Sequence, residues 1–214
     1  ALYGFVGPNG AGKTTTLKIM TGLLGAEEGS VTINGKDALR DLGELKGMIG
    51  YVPDFFGVYD NLTVAEYMSF FASCYQLDGL MARKRYTALL EQVGLEDKLD
   101  VRMGALSGGQ RQAVALLMAT MTPLQFLILD EHTAALDPKT AEIIMELTDK
   151  VIREKHLTAM MVTHNLRHAV EYGDRILMMS RGHVVLDRAG EEKRATSMDD
   201  ILTMFNQISM ECGN

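Results

Sequence analysis

The run Gly7-Pro8-Asn9-Gly10-Ala11-Gly12-Lys13-Thr14 constrains this chain more than any other stretch. It satisfies G-x-x-x-x-G-K-[ST] at every fixed position, and its flanks fit the same pattern. Leu2 to Val6 reads as a buried strand, and Thr15 to Leu24 as the helix that follows. Glycines let the backbone wrap closely around a polyphosphate with successive N–H groups facing inward. A helix beginning near Lys13 adds its positive end to that cradle. Lys13 then supplies counter-charge to the outer phosphates, and the Thr14 hydroxyl suits Mg²⁺. Strand, loop and helix in this order predict an α/β fold organised around a phosphate site.

The bulk properties narrow what surrounds that loop. At 214 residues the chain can hold one large domain or two small ones with a full core. Its net charge is −7, with acidic and basic residues interspersed, which argues against a nucleic-acid surface. Cys74 and Cys212 lack metal-ligand spacing and are too few for a disulfide framework, so a reducing compartment is expected. No apolar run approaches membrane-spanning length and no signal peptide is read, so any membrane role is expected to be borrowed from a partner. The 15 methionines fall mostly in apolar segments and read as core filler rather than metal ligands.

After the first helix, Ser30-Val31-Thr32-Ile33 before Asn34-Gly35 reads as an edge strand ending in a tight turn. Met48 to Val52 is a further strand that ends at Pro53-Asp54. Strand carboxyl ends are where open α/β sheets place ligands, so Asp54 is a candidate site residue, with a solvated turn carboxylate as the alternative. Thr63-Val64-Ala65-Glu66 is a capping box, followed by Val64, Tyr67, Met68 and Phe71 at helical spacing. A second helix runs from about Leu80 to Val93 and stops at Gly94. The aromatic residues Phe55, Phe56, Tyr59, Tyr67, Phe70, Phe71 and Tyr75 form either a docking surface or core.

Leu106-Ser107-Gly108-Gly109-Gln110 opens another helix that reaches about Met121. Ser107 is a natural N-cap, and the two glycines bare backbone at the positive helix end, giving a second anion-binding surface. The apolar strand Leu124 to Leu129 then delivers Asp130-Glu131. Asp130 can hold Mg²⁺ and Glu131 can orient or deprotonate an attacking water. Pro138 follows Ala135-Leu136-Asp137 at the first turn of a helix. Strand Thr158 to Thr163 presents His164 at the same sheet edge, where it can sense a terminal phosphate. Strands near Arg175–Met179 and Val184–Asp187 and a capped helix from about Met198 to Gln207 complete the chain.

One chain thus carries two anion-binding helix N-termini but one phosphate loop and one carboxylate pair. Two copies in twofold symmetry would use both, each closing its Ser107-Gly108-Gly109-Gln110 over phosphates on the other.

These motifs resemble the nucleotide-binding domain of ATP-binding cassette (ABC) proteins along nearly the whole length. Gly7 to Thr14 is similar to the Walker A motif, and Leu106 to Gln110 to the signature motif. Leu127 to Glu131 is similar to Walker B with its catalytic glutamate, Ala135-Leu136-Asp137 to the D-loop, and His164 to the switch histidine. The resemblance implies a P-loop NTPase with a RecA-like three-layer core at 1–54 and 122–190. It further implies a helical subdomain at 55–121 and a C-terminal helical tail at 191–214. ATP with Mg²⁺ is expected at Gly7, Pro8, Asn9, Gly10, Ala11, Gly12, Lys13, Thr14, Thr15 and Asp54, with the metal at Thr14, Asp54 and Asp130. Glu131 and His164 are the expected catalytic pair, acting in a homodimer or heterodimer of cassettes. A separate transmembrane permease is expected to seat on the helical subdomain, on the inner, cytoplasmic face of the cell membrane. A non-transport ABC protein acting in translation or DNA maintenance is the alternative, but such members usually carry two cassettes or a long coiled-coil insertion, and the chain shows neither. An inactive truncated or recombined cassette is a second alternative.

The sequence also departs from that pattern. The family's usual N-terminal strands, one bearing an adenine-stacking aromatic, are read as absent. Asp54 stands where glutamine is usual, and His132 stands where proline usually follows the glutamate. Residues up to about Asp100 are similar to ABC-2-type exporter cassettes and those from Leu106 to another cassette group, which suggests a join near Val101–Ala105.

Overall fold

Alternation along a single buried strand sets the layering. In Phe126–Asp130, Leu127 and Leu129 enter one apolar cluster while Phe126 and Ile128 enter another on the opposite face. A strand apolar on both faces must be covered on both, as parallel sheets with crossover helices are. The computed structural model describes residues 1–37, 39–40, 42–53, 59–77 and 79–211. Asp54, Phe55 and Phe56 lie outside the described residues.

The chain opens with β1 (Leu2–Val6) and runs through the glycine loop into α1 (Lys13–Met20). The helix expected to reach Leu24 stops at Met20. Gly22 turns left-handed at φ 69°, and the N–H groups of Leu23 and Leu24 both return to the Lys18 carbonyl. Next come β2 (Thr32–Ile33) and β3 (Lys36–Asp37), joined by Asn34-Gly35 with φ of 51° and 78°. Positive φ at both central residues is the hairpin geometry that matches strand twist. The pair forms its own two-stranded sheet rather than the edge of the main one.

A four-residue turn of helix, α2 (Leu42–Leu45), leads to β4 (Ile49–Val52). The helical stretch comprises α3 (Val64–Cys74), α4 (Gly79–Glu91) and α5 (Gly108–Ala119). Thr63 caps α3 with a full capping box, its side chain bonding the Glu66 N–H and Glu66 bonding back. The aromatic residues here divide between the two readings: Tyr67 is core, whereas Tyr59 and Phe70 are 64% and 50% exposed.

Then follow β5 (Phe126–Asp130), α6 (Pro138–Glu154), β6 (Thr158–Val162) and α7 (Leu166–Tyr172). The chain finishes with β7 (Arg175–Ser180), β8 (His183–Ala189), α8 (Gly190–Ala195) and α9 (Met198–Glu211).

The main sheet runs β4-β5-β6-β1-β7-β8, parallel except for β8. Helices α5 and α6 cover one face and α1 the other, while α7 and α9 pack beneath β1 and β7. Helix α5 is buried nearly all round. Leu116 and Ala119 face the sheet, whereas Val114, Leu117 and Met118 join the core of α3 and α4. The register aligns Phe5 and Asp130 with Val162, so the loops after β1, β5 and β6 leave the sheet at one level. None of the helices is long and apolar enough to cross a membrane, among the described residues.

Candidate nucleotide site

The loop after β1 has the conformation that its glycines permit. Gly10 and Gly12 sit at φ 75° and 102°, where side-chain-bearing residues are strained. Gly7 is packed so tightly that an added Cβ would lie 2.3 Å from the Met179 carbonyl oxygen. Gly182 N–H donates to the Ala11 carbonyl at 2.9 Å, so the β7–β8 turn braces the loop from below. Lys13 Nζ donates to the Gly7 and Pro8 carbonyls at 2.7 and 3.0 Å. Burial pushes the Lys13 ammonium below the usual lysine range, against the opposing pull of Glu131 and Asp130. Asn9 to Thr15 and Glu131 together line a hollow of about 150 Å³.

The carboxylates stand opposite. Asp130 is buried at the end of β5, and one of its oxygens accepts from the Tyr51 hydroxyl at 3.1 Å. Glu131 is left-handed at φ 50°, its N–H bonded to the Val162 carbonyl and its own carbonyl to the Ala134 N–H. Its Oε1 lies 2.6 Å from His164 Nε2. On the far side, Glu131 and His164 border a second cleft of about 430 Å³ that reaches Glu142, Asn165 and His168. Phosphate cradle, carboxylate pair and histidine therefore share one edge of the sheet.

The second glycine segment opens on a full capping box. Ser107 caps α5 by accepting from the Gln110 N–H at 3.2 Å, and Gln110 bonds back to the Ser107 N–H. Gly109 is pressed against α6, where an added Cβ would meet Thr140 Cγ2 at 2.3 Å. Asp137 caps α6 with Pro138 in its first turn, as the sequence predicts. Gly108 and Gly109 are on the helical side of the molecule and line none of the phosphate-loop hollow.

Sequence reasoning did not single out Tyr51 or the group His168, Glu142 and Tyr172. Glu142 accepts from Tyr172 at 2.8 Å and lies 3.3 Å from His168 Nε2. Tyr51 stands one residue inside the end of a strand already marked as site-facing, and that position was the available signal. The other three lie on α6 and α7, and nothing local in the sequence joins them.

Fold and site together define a P-loop nucleoside triphosphatase. A family model described as ABC transporter matches residues 1–134. A tyrosine transport ATP-binding protein of Clostridioides difficile is 40% identical over 212 residues, covering 94% of this chain and 84% of that protein. The phosphonates import ATP-binding protein PhnC of Alcaligenes faecalis is 37% identical over 198 residues, covering 87% and 72%. Among solved structures, an ATP-binding subunit of an ABC transporter superposes with a TM-score of 0.80 at 25% identity, covering 96% and 88%. A dimeric, post-hydrolysis ATP-binding cassette with ADP and Pi superposes at 0.75 with 32% identity, covering 88% and 84%. The chain belongs to the ABC transporter family and is the ATP-binding, ATP-hydrolysing subunit of a transporter.

Proposed function

We propose that Glu131 activates the water that attacks the terminal phosphate of ATP, with His164 contacting both. The observation that carries this reading is the placement of Glu131. Its carboxylate borders the phosphate-loop hollow while Oε1 lies 2.6 Å from His164 Nε2. A base must reach the proton that it abstracts, and this one faces the loop across a short gap. Gly7 to Thr15 cradle the phosphates through backbone N–H groups, and Lys13 neutralises the outer two.

Mg²⁺ fits the residues present. Thr14 sits half-buried at the rim of the cradle, and Asp130 offers a buried carboxylate already oriented by Tyr51. No three His, Cys, Asp or Glu side chains converge as a metal cage among the described residues. A sparse oxygen set suits an ion that keeps waters and phosphates in its shell. Thr14 and Asp130, with Asp54 as a further ligand, would hold it. When bound, the ion neutralises charge on the phosphate oxygens.

The working unit is a head-to-tail dimer of cassettes, homomeric or heteromeric, in which Ser107 to Gln110 close over the partner's nucleotide and Asp137 lies between the two sites. Residues 1–54 and 122–190 act as the ATP-binding core, 55–121 as the helical subdomain and 191–214 as a tail. A transmembrane permease seats on the helical subdomain, where exposed Tyr59 and Phe70 flank a groove of about 600 Å³. This places the subunit at the cytoplasmic face of the membrane.

The Glu131→Gln substitution tests the reading. ATP binding should persist while steady-state hydrolysis falls on the order of a hundredfold or more, as expected for loss of a general base. Size-exclusion chromatography with ATP and Mg²⁺ should then show an ATP-bound dimer. Hydrolysis at the unsubstituted rate, or an ATP-loaded protein that stays monomeric, would overturn the proposal.

A further inference from the structure

His132 follows Glu131 and is almost wholly buried, at 3% exposure. Its Nε2 lies 3.2 Å from Thr148 Oγ1, three turns into α6. Thr148 gives its own proton to the Ile144 carbonyl at 2.7 Å, so towards His132 it can only accept. The imidazole must therefore carry its proton on Nε2, and the bonds run one way, from His132 through Thr148 to the helix backbone. An apolar residue would fill the same volume without this direction.

The residue that needs holding is the neighbour. Glu131 occupies the left-handed region at φ 50°, which a side-chain-bearing residue keeps only when its surroundings over-determine it. Val162 and Ala134 fix its backbone N–H and carbonyl. The next side chain supplies a third hold, and it is the one that ties the turn to α6. Its anchor, α6, also carries the Asp137 cap and the Thr140 methyl against which Gly109 packs. Through His132 the turn bearing Glu131 is registered to the same helix as the Ser107–Gln110 segment.

We propose that His132 is a positioning residue: hydrogen-bonded to Thr148 on α6, it fixes the left-handed turn that aims the Glu131 carboxylate at the phosphate loop. This rests on Glu131 acting in hydrolysis. His132→Leu and Thr148→Val remove the bond from either side, whereas His132→Gln and Thr148→Ser keep a donor and a hydroxyl. With the full chain, kcat for ATP should fall between roughly tenfold and a hundredfold in the first two, the scale expected for a misplaced catalytic group. The KM for ATP should stay within about twofold, because the phosphate cradle is untouched. His132→Gln and Thr148→Ser should recover most of the rate, and the double substitution His132→Leu/Thr148→Val should lose no more than the worse single one. A folded His132→Leu protein with unchanged kcat would overturn the inference, as would a Gln variant as slow as the Leu variant. If His132→Leu does not fold, a folded Thr148→Val with unchanged kcat overturns it equally. Glu131→Gln, assayed alongside, separates the two ideas: normal hydrolysis there sinks the role of Glu131, whereas slow hydrolysis there with normal Thr148→Val turnover sinks the positioning role alone.

Discussion

Gly109 has no room for a methyl group. An added Cβ would lie 2.3 Å from Thr140 Cγ2, a methyl on a short β-branched side chain that cannot swing clear. Gly109→Ala should therefore destabilise the fold by about 1–3 kcal/mol, the usual penalty for overfilling a packed contact. Thr140→Ser deletes the offending methyl and should recover most of that loss in the double variant. Urea denaturation of the two single variants and the double one measures it, and additive losses would show that the two residues do not meet. Residues in contiguous motifs were legible in the sequence: Lys13, Asp130, Glu131 and the Ser107 cap each needed only near neighbours to be recognised. His132 was visible only as a departure from a family pattern. Its partner Thr148 stands 16 positions away, and only the fold brings the two together.

At the scale of elements, α6 begins on a charged cap. The Asp137 side chain accepts from the Thr140 N–H at 3.1 Å, and this hydrogen bonding to Thr140 holds the carboxyl below the usual aspartate range. A depressed folded value means the stabilisation is present above the ordinary aspartate pKa, about 3.9. It fades as pH falls through the lower folded value. Acidification from about pH 6 to about pH 3 should therefore cost the natural protein more stability than Asp137→Asn, since asparagine caps well without titrating. Equal losses in the two proteins, followed by circular dichroism under denaturant, would show that the cap contributes nothing to acid sensitivity. Elements with strong end signals were read well, because capping boxes and apolar strands are local events. Helix α7 was not anticipated. It spans seven residues, too few to show a period, and its position depends on Gly4, where an added Cβ would lie 2.9 Å from Ala169 Cβ. The strand with its tight turn at Asn34-Gly35 was legible, but the return strand β3 and the separation of the pair from the main sheet were not, since pairing partners are a tertiary choice.

At the scale of the whole molecule, net charge sets the terms of assembly. Each copy carries −7, so closing two of them over nucleotide works against their mutual repulsion. Raising salt from about 10 mM to about 150 mM shortens the screening length from roughly 30 to roughly 8 Å. The ATP-bound dimer of the Glu131→Gln protein should accordingly become more populated over that range, as sedimentation velocity would record. A dimer that weakens with salt would mean that attraction between local charges dominates the interface. The sheet order has a different consequence, for the time at which the protein first becomes able to bind nucleotide. Strand β1 lies between β6 and β7, pairing with residues up to Val162 on one side and Met178 on the other. During synthesis its apolar residues must wait for partners made about 160 to 170 residues later, an interval of roughly eight to thirty-four seconds at about 5–20 residues per second. The phosphate loop that follows β1 thus has no finished sheet edge to stand on until β6 and β7 have been made.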